Sequence, residues 1–419
     1  MKRSLLALAA LSAFASAAHA QSSVTLYGIL DEAVVYQSNV KTGGLNNPVT
    51  SPNVGGKRVF LDSGSGLNGS RWGFKGSEDL GNGLKAVFQL ENGTNINTGA
   101  NLQSGLEFGR QAYVGLSSST WGTLTLGRQY DPIVDYIGPK IFGDQIGSSY
   151  SALPGDLDNA NNGQRVNNAI KYTSPNFNGL SFEGMYSLGG VAGTVGRNSA
   201  YGAGANYANG PFSLGAGFLK VMDPNTAFFS NSALGSGIGA PAAGGSSITT
   251  PVYSGYASAN SYQSAAAGGT FAVGPANFGL IYSNVKFSNL QSATSGVTLS
   301  TTGAQGTAVF NSVEFNFTWH WTPALQTGFA YSYTRGSSVQ FGQLLANGTN
   351  NSGGVKYNQF ALSTDYALSK RTDVYLLGSY QLASGIDSTG TTATASVNTL
   401  TGSANNKTAV VRAGLRVKF

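Results

Sequence analysis

The chain has 419 residues, with 24 Lys+Arg against 18 Asp+Glu, 59 glycines, no cysteine and a charged fraction of only 10%, where soluble domains carry about 25%. Without cysteine there is no disulfide, thiolate nucleophile or thiolate metal site. A basic excess this small and dispersed excludes a nucleic-acid partner, and so few charges mean that much of the outer surface is not built for water.

Residues 1–20, MKRSLLALAALSAFASAAHA, read as a cleaved export signal: Lys2 and Arg3, an apolar stretch from Leu5, then the small-residue site Ala18-His19-Ala20. The mature chain, 21–419, then forms one domain with 22 basic against 18 acidic residues, a net charge of +4. No later apolar run approaches the ~20 residues of a spanning helix, so the way left to cross a bilayer is a closed sheet, which satisfies every backbone hydrogen bond in hydrocarbon.

The first strand signal is VTLYGILDEAVVY from Val24. Seven tight connections follow, at 78–85, 118–124, 173–180, 208–214, 273–279, 321–326 and 367–373, rich in the turn formers Gly, Pro, Asn and Asp. Each is flanked by alternating segments, giving fourteen strands. The last strand, KTAVVRAGLRVKF from Lys407, alternates Val411, Ala413, Leu415, Val417 and Phe419 with Arg412, Arg416 and Lys418, one face for lipid and one for water. Pairing the first strand with the last closes a barrel of sixteen strands, an even number as bacterial single-chain barrels require, with no free edge. VEFNFTWHW is the clearest internal strand: Phe315, Phe317, Trp319 and Trp321 oppose Glu314, Asn316, Thr318 and His320. Long connections, roughly 38–70, 92–107, 131–164, 189–200, 222–262, 288–309, 336–357 and 384–406, suit outward loops. The uncharged stretch from Pro224 to Val285 reads as a flexible surface loop with its flanking strands.

Strand phase assigns side chains to the lumen. With Trp72 and Phe74 toward lipid, Arg71 and Lys75 point inward; Arg165, Asn167 and Lys171 oppose Val166 and Ile170 and point inward too. Arg128 shares phase with Leu124 and Leu126, where a lone cation at the bilayer midplane costs roughly 2 to 4 kcal/mol. It is therefore expected at a subunit interface, paired with Glu107 or Glu91. His320 is the single mature histidine, and no catalytic constellation attaches to it. DLDNANNG at 156–163 lacks the spacing of a calcium loop. No enzyme activity, metal or cofactor is expected.

The stretches SRWGFKGSEDLGNGLKAVFQLE (70–91), FGRQAYVGL (108–116), LGRQYDP (126–132), VNNAIKYTSPNFNGLSF (166–182) and the terminal RVKF resemble the general diffusion porins of Gram-negative outer membranes, in their neisserial-type branch. The resemblance implies an all-β, 16-stranded antiparallel transmembrane barrel with short periplasmic turns, long extracellular loops and an inward-folded third loop. It implies a homotrimer in outer-membrane lipid and lipopolysaccharide, with Phe419 read by the outer-membrane assembly machinery. It also places an inward arginine at Arg110, which strict alternation groups with Ala112, Val114 and Leu116. The expected constriction sets Arg71, Lys75, Arg110, Arg165 and Lys171 against Asp131, Asp135 and Asp144 of the third loop, with Lys140 where cation-selective enteric relatives carry an acid. Sixteen strands leave an aqueous channel, so the expected function is passive passage of small hydrophilic solutes and ions with a modest anion preference. A substrate-selective channel or surface-adhesin barrel is the alternative.

Overall fold

In the computed structural model, residues 23–42, 54–230, 248–345 and 347–419 are described; the export signal read at 1–20 lies outside them. Antiparallel strands dominate: β1 (Ser23–Lys41), β2 (Gly55–Asp62), β3 (Arg71–Gly81), β4 (Leu84–Gly93), β5 (Gln111–Ser118), β6 (Gly122–Gln129), β7 (Val166–Thr173), β8 (Leu180–Ser187) and β9 (Ala200–Asn209). They continue with β10 (Phe212–Met222), β11 (Ser261–Val273), β12 (Ala276–Leu290), β13 (Ala304–His320), β14 (Leu325–Gly336), β15 (Gln340–Phe341), β16 (Val355–Ala367), β17 (Thr372–Gly385) and β18 (Lys407–Lys418).

From β3 to β14 and from β16 to β18 each strand pairs with the next in the chain, β14 pairs with β16, and β1 pairs with β18 from Ile29↔Lys418 to Gln37↔Val410, so the sheet closes on itself. The eighteen strands occupy sixteen wall positions. The two-residue β15 pairs only above the wall, with the start of β13. In turn, β2 and β3 share one position: the lower half of β1 pairs with β3 and its upper half with β2. All seven tight turns fall where composition put them. The first has Asn82 at φ 53 and Gly83 at φ 75, left-handed values that suit a hairpin matched to strand twist.

Alternation sorts the side chains as a membrane demands. Val411, Leu415, Val417 and Phe419 of the terminal strand are exposed on the outer face, whereas Arg412 and Arg416 are buried inside. On β13, Val313 and Phe315 face out and Glu314, Asn316 and Thr318 are buried. Trp121, Phe177, Phe212 and Trp321, all beside short turns, are 44%, 51%, 51% and 63% exposed and form an aromatic rim where hydrocarbon meets headgroups. Among the described residues no helix is long and apolar enough to cross a membrane.

The lumen is only partly hollow. Between β6 and β7 the third loop turns inward. Asp131 caps its short helix α1 (Pro132–Tyr136) by accepting from the Ile133 and Val134 amides, and Pro132 sits where no amide donor is needed. Ile133, Ile137, Ile141 and Leu157 bury against Leu219, Val221 and Ile281 of the wall, and Phe142 and Ile146 against Ala330 and Ala361. The wall is cut back to admit them: a Cβ at Gly204 would lie 2.7 Å from the Tyr136 ring, and one at Gly217 would lie 2.9 Å from the Pro132 carbonyl. Polar latches finish the fit. The Phe142 amide donates to Glu314 Oε1 at 2.7 Å, the Asn316 amide group to the Lys140 carbonyl at 2.9 Å, and the Tyr262 hydroxyl to the Leu157 carbonyl at 2.9 Å.

The uncharged stretch read as a flexible surface loop differs from that expectation. Its described part packs inside the barrel mouth, where Phe228, Phe229, Tyr253, Tyr256 and Tyr262 bury with Phe287, Phe310 and Tyr357. Phe229, Tyr253 and Tyr262 stand within ring-contact distance of Phe287. An apolar lumen face on these strands gives the loop a core to join, which local composition does not reveal.

Candidate functional site

A cavity of about 800 Å³ runs through the lumen beside the third loop, and Arg71, Arg110, Arg165, Tyr130, Asp144 and Asp156 line it. The basic side is organised around Tyr130 and Glu91. Arg110 Nε donates to Glu91 Oε1 at 2.7 Å and its Nη2 to the Tyr130 hydroxyl at 2.8 Å, and that hydroxyl donates to Glu91 at 3.0 Å. The Arg110 and Arg165 guanidiniums lie 5.9 and 5.7 Å from the Tyr130 ring centroid, a contact that suits a cation on an aromatic face. Arg71 Nε donates to the Gly69 carbonyl at 3.2 Å, and Arg165 Nη1 to the Gly163 carbonyl at 3.1 Å. Three guanidiniums thus gather on one side of the cavity, Arg110 and Arg165 largely buried in its lining.

The third loop supplies the opposite side. Asp144 accepts from Asn161 Nδ2 at 2.8 Å, and Asp156 from the amides of Asn161 and Gly163 at 2.9 and 2.6 Å. Burial raises the Asp144 carboxyl to about 6, against the lowering pull of Arg71 and Arg110. Burial, reinforced by Asp158, raises Asp156 to about 7. Both acids therefore lose charge just below neutral pH, whereas the arginines keep theirs.

Of the residues expected here, Arg71, Arg110, Arg165, Asp135 and Asp144 line the cavity. The others sit elsewhere. Lys75 lies over the Tyr27 ring, 5.3 Å from its centroid. Lys171 donates to Asp135 and to the Tyr130 carbonyl at 3.1 Å and pairs with Glu183 at 3.4 Å, so its charge is compensated in place. Lys140 is buried and turned to the wall, its Nζ donating to the Tyr136 carbonyl at 2.8 Å and Asn206 Oδ1 at 2.7 Å. Asp131 is enclosed as the cap of α1 and accepts from Asn159 Nδ2 at 2.6 Å. Arg128 is buried within its own chain, where its Nε donates to the Gly109 carbonyl at 2.8 Å and its Nη1 to Asn167 at 2.5 Å. Glu91, expected to pair with Arg128, pairs with Arg110 instead.

Arg110 reaches the lumen because β5 begins at Gln111, so alternation does not extend to it; its amide instead donates to the Glu91 carbonyl at 3.1 Å. Sequence reasoning missed Tyr130, which sits one residue past β6, and the latch Glu314, although its inward phase on β13 was legible. It also missed a second ionic cluster. There Arg412, fully enclosed, donates to Tyr375 at 2.7 Å and Asp62 at 2.5 Å and pairs with Asp31 at 3.3 Å, while Arg416 grips Asp373 at 2.9 and 3.1 Å.

A seamless sheet with a greasy exterior, a polar lumen and a charged narrowing built by an inward loop defines a pore-forming transmembrane β-barrel. Residues 7–388 match the family described as Gram-negative porin, and the chain belongs to that family, whose place is the outer membrane. It is 38% identical over 241 residues to an outer membrane porin of Bordetella pertussis, covering 54% of this chain and 61% of that protein. It is 38% identical over 232 residues to outer membrane porin protein 32 of Delftia acidovorans, covering 52% and 60%. Against major outer membrane protein P.IB of Neisseria meningitidis serogroup B it is 36% identical over 217 residues, covering 51% and 57%. The match thus spans about three fifths of the length of these curated relatives. Among solved structures, an anion-selective porin from Comamonas acidovorans superposes with a TM-score of 0.66 at 22% identity, covering 95% of this chain and all of that one. OmpT of Vibrio cholerae follows at 0.60 and 12%, covering 95% and 98%; both likenesses are of fold.

Proposed function

We propose that this barrel is a general diffusion channel for small hydrophilic solutes and ions, with a modest preference for anions. One observation carries the reading: Arg71, Arg110 and Arg165 line a lumen cavity together with Asp144 and Asp156, and burial weakens the acids near neutral pH. Lys171, Arg412 and Arg416 are matched by acids elsewhere on the wall, and of the three cavity arginines only Arg110 has an acid, Glu91, in direct contact among the described residues, so the group as a whole leaves a positive excess on the cavity. Charges lining the cavity act on passing ions, because within about 8 Å, the screening length at physiological salt, their field is only partly screened. The anion selectivity named for the Comamonas acidovorans protein is in keeping with this reading.

The working unit is read as a trimer in outer-membrane lipid and lipopolysaccharide, exported with residues 1–20 removed. A trimer form is named for the Vibrio cholerae protein. Arg128, enclosed by its own chain, would serve a subunit contact by holding Gly109 and Asn167 in place. The terminal Phe419 is the proposed assembly signal, its ring exposed at the rim of the short turns.

Purified protein in a planar bilayer under a salt gradient tests the proposal: the reversal potential is expected on the anion-selective side, and clear cation selectivity refutes it. A substrate-selective channel is the second reading, favoured by Phe229 and Tyr253, which bring aromatic surface to the cavity. Liposome swelling with graded solutes decides between them. A smooth decline with size supports general diffusion, and one solute far above the trend supports the selective channel.

A further inference from the structure

The second wall position is broken. Along β1, residues Ser23–Ile29 pair with β3 and Ala33–Lys41 with β2, and the eight residues from Ser63 to Ser70 leave the wall between them. Leaving strips β1 of ladder partners around Asp31, a cost that a buried backbone must recover elsewhere. Ser70 recovers it: the Asp31 amide donates to Ser70 Oγ at 2.9 Å, and that hydroxyl donates to the Asp31 carbonyl at 2.9 Å. The Leu67 amide adds a bond to Asp31 Oδ2 at 2.9 Å. Gly66 is pressed so closely on this carboxylate that a Cβ there would lie 2.1 Å from Asp31 Cγ. The excursion is thus built in rather than a loose loop.

It goes into the lumen. Gly64, Gly66, Leu67, Asn68 and Gly69 line the same cavity as the three arginines. Its tip meets the third loop, where Ser148 Oγ donates to the Ser65 carbonyl at 2.9 Å. It also meets the last long loop, with Ser65 Oγ 2.8 Å from Thr399 Oγ1. Asn68 is partly exposed and accepts from Arg416, which Asp373 already holds. The segment carries no charge, so it takes up cross-section without altering the sign of the field.

Resting on the channel reading above, we propose that Ser63–Ser70 is a second constriction element that, with the third loop, sets the size limit of the pore, and that Asn68 is its path-facing residue. The backbone offers a clean deletion. The Ser70 amide donates to the Ser63 carbonyl at 2.9 Å, so removing residues 65–68 leaves Ser63-Gly64-Gly69-Ser70, a two-residue Gly-Gly connection closed by an existing hydrogen bond. That variant is expected to show raised single-channel conductance and a swelling cutoff moved to larger solutes, with the sign of the reversal potential kept. Because the chain has no cysteine, Asn68→Cys can be labelled alone with a methanethiosulfonate reagent. Labelling in the open channel is expected to cut conductance, and a reducing agent to restore it.

Should the deletion not fold, the cysteine variant decides alone. Unchanged conductance after labelling, or a folded deletion that conducts like the parent, overturns the second constriction while leaving the channel reading intact. A parent protein that conducts no ions overturns both.

Discussion

Arg71→Gln removes one wall charge at small structural cost, since its Nε donates to a carbonyl two residues away, that of Gly69, at 3.2 Å, and makes no ion pair among the described residues. At about one Debye length, ~8 Å, a unit charge in water contributes about 0.5 kcal/mol, which screening reduces to about 0.2 kcal/mol. An anion and a cation feel it with opposite sign, so their difference is about 0.4 kcal/mol. That corresponds to roughly a twofold fall in the anion-to-cation permeability ratio. Arg110→Gln is the harsher change, because Arg110 is bonded to Glu91 at 2.7 Å and its loss also frees that acid's charge toward the lumen. Reversal potentials in a planar bilayer measure both. The predicted order is parent, then Arg71→Gln, then Arg110→Gln. A ratio unmoved by Arg71→Gln at low salt, where screening is weakest, would refute the idea that these guanidiniums set selectivity.

Because burial lifts Asp144 to about 6 and Asp156 to about 7, lowering the pH from 8 to 5 protonates them, and anion preference should rise; Asp144→Asn should start higher and change less, read from the same reversal potentials. Glu314→Ala removes the acceptor of the Phe142 amide and leaves that buried donor unmatched, a loss of about 1 to 3 kcal/mol, so the third loop should move more and single-channel records should show added closures. Arg412→Met leaves Asp31 and Asp62 facing each other without their cation, a loss of about 3 to 5 kcal/mol that should lower the unfolding temperature on heated gels, with partial recovery on adding Asp62→Asn. At the seam, Gly28 and Phe419 exchange both backbone hydrogen bonds at 3.0 Å, and a Cβ at Gly28 would lie 2.3 Å from the Phe419 ring. Gly28→Val should therefore cut the yield of closed barrel, and deleting Phe419 should cut it further in cells than in detergent refolding if the terminal ring is an assembly signal.

The two-residue period of the strands is a local property, and it is why the sequence alone assigns Val411, Leu415 and Val417 to lipid and Arg412 and Arg416 to the lumen. Turn chemistry is local as well, so Asn82-Gly83 and its six counterparts marked every hairpin at one rim and, with them, the sixteen positions of the wall. Where the period breaks, sequence reasoning lost its footing. Arg110 lies just outside β5, and its direction depends on how the chain enters the strand, whereas Arg165, one residue before β7, kept the phase of its strand. Whether a lumen cation is free or spent was likewise undecidable from phase: Lys171 and Arg412 look the same as Arg71 in the alternation, yet acids that sheet pairing brings alongside on β8 and β1 neutralise the first two. Folding of the third loop, the buried aromatic mouth and the Ser63–Ser70 excursion all depend on surfaces that exist only once the cylinder has closed. Local patterning determined the container, and long-range contact alone decided what stands inside it and which charges remain to meet a passing ion.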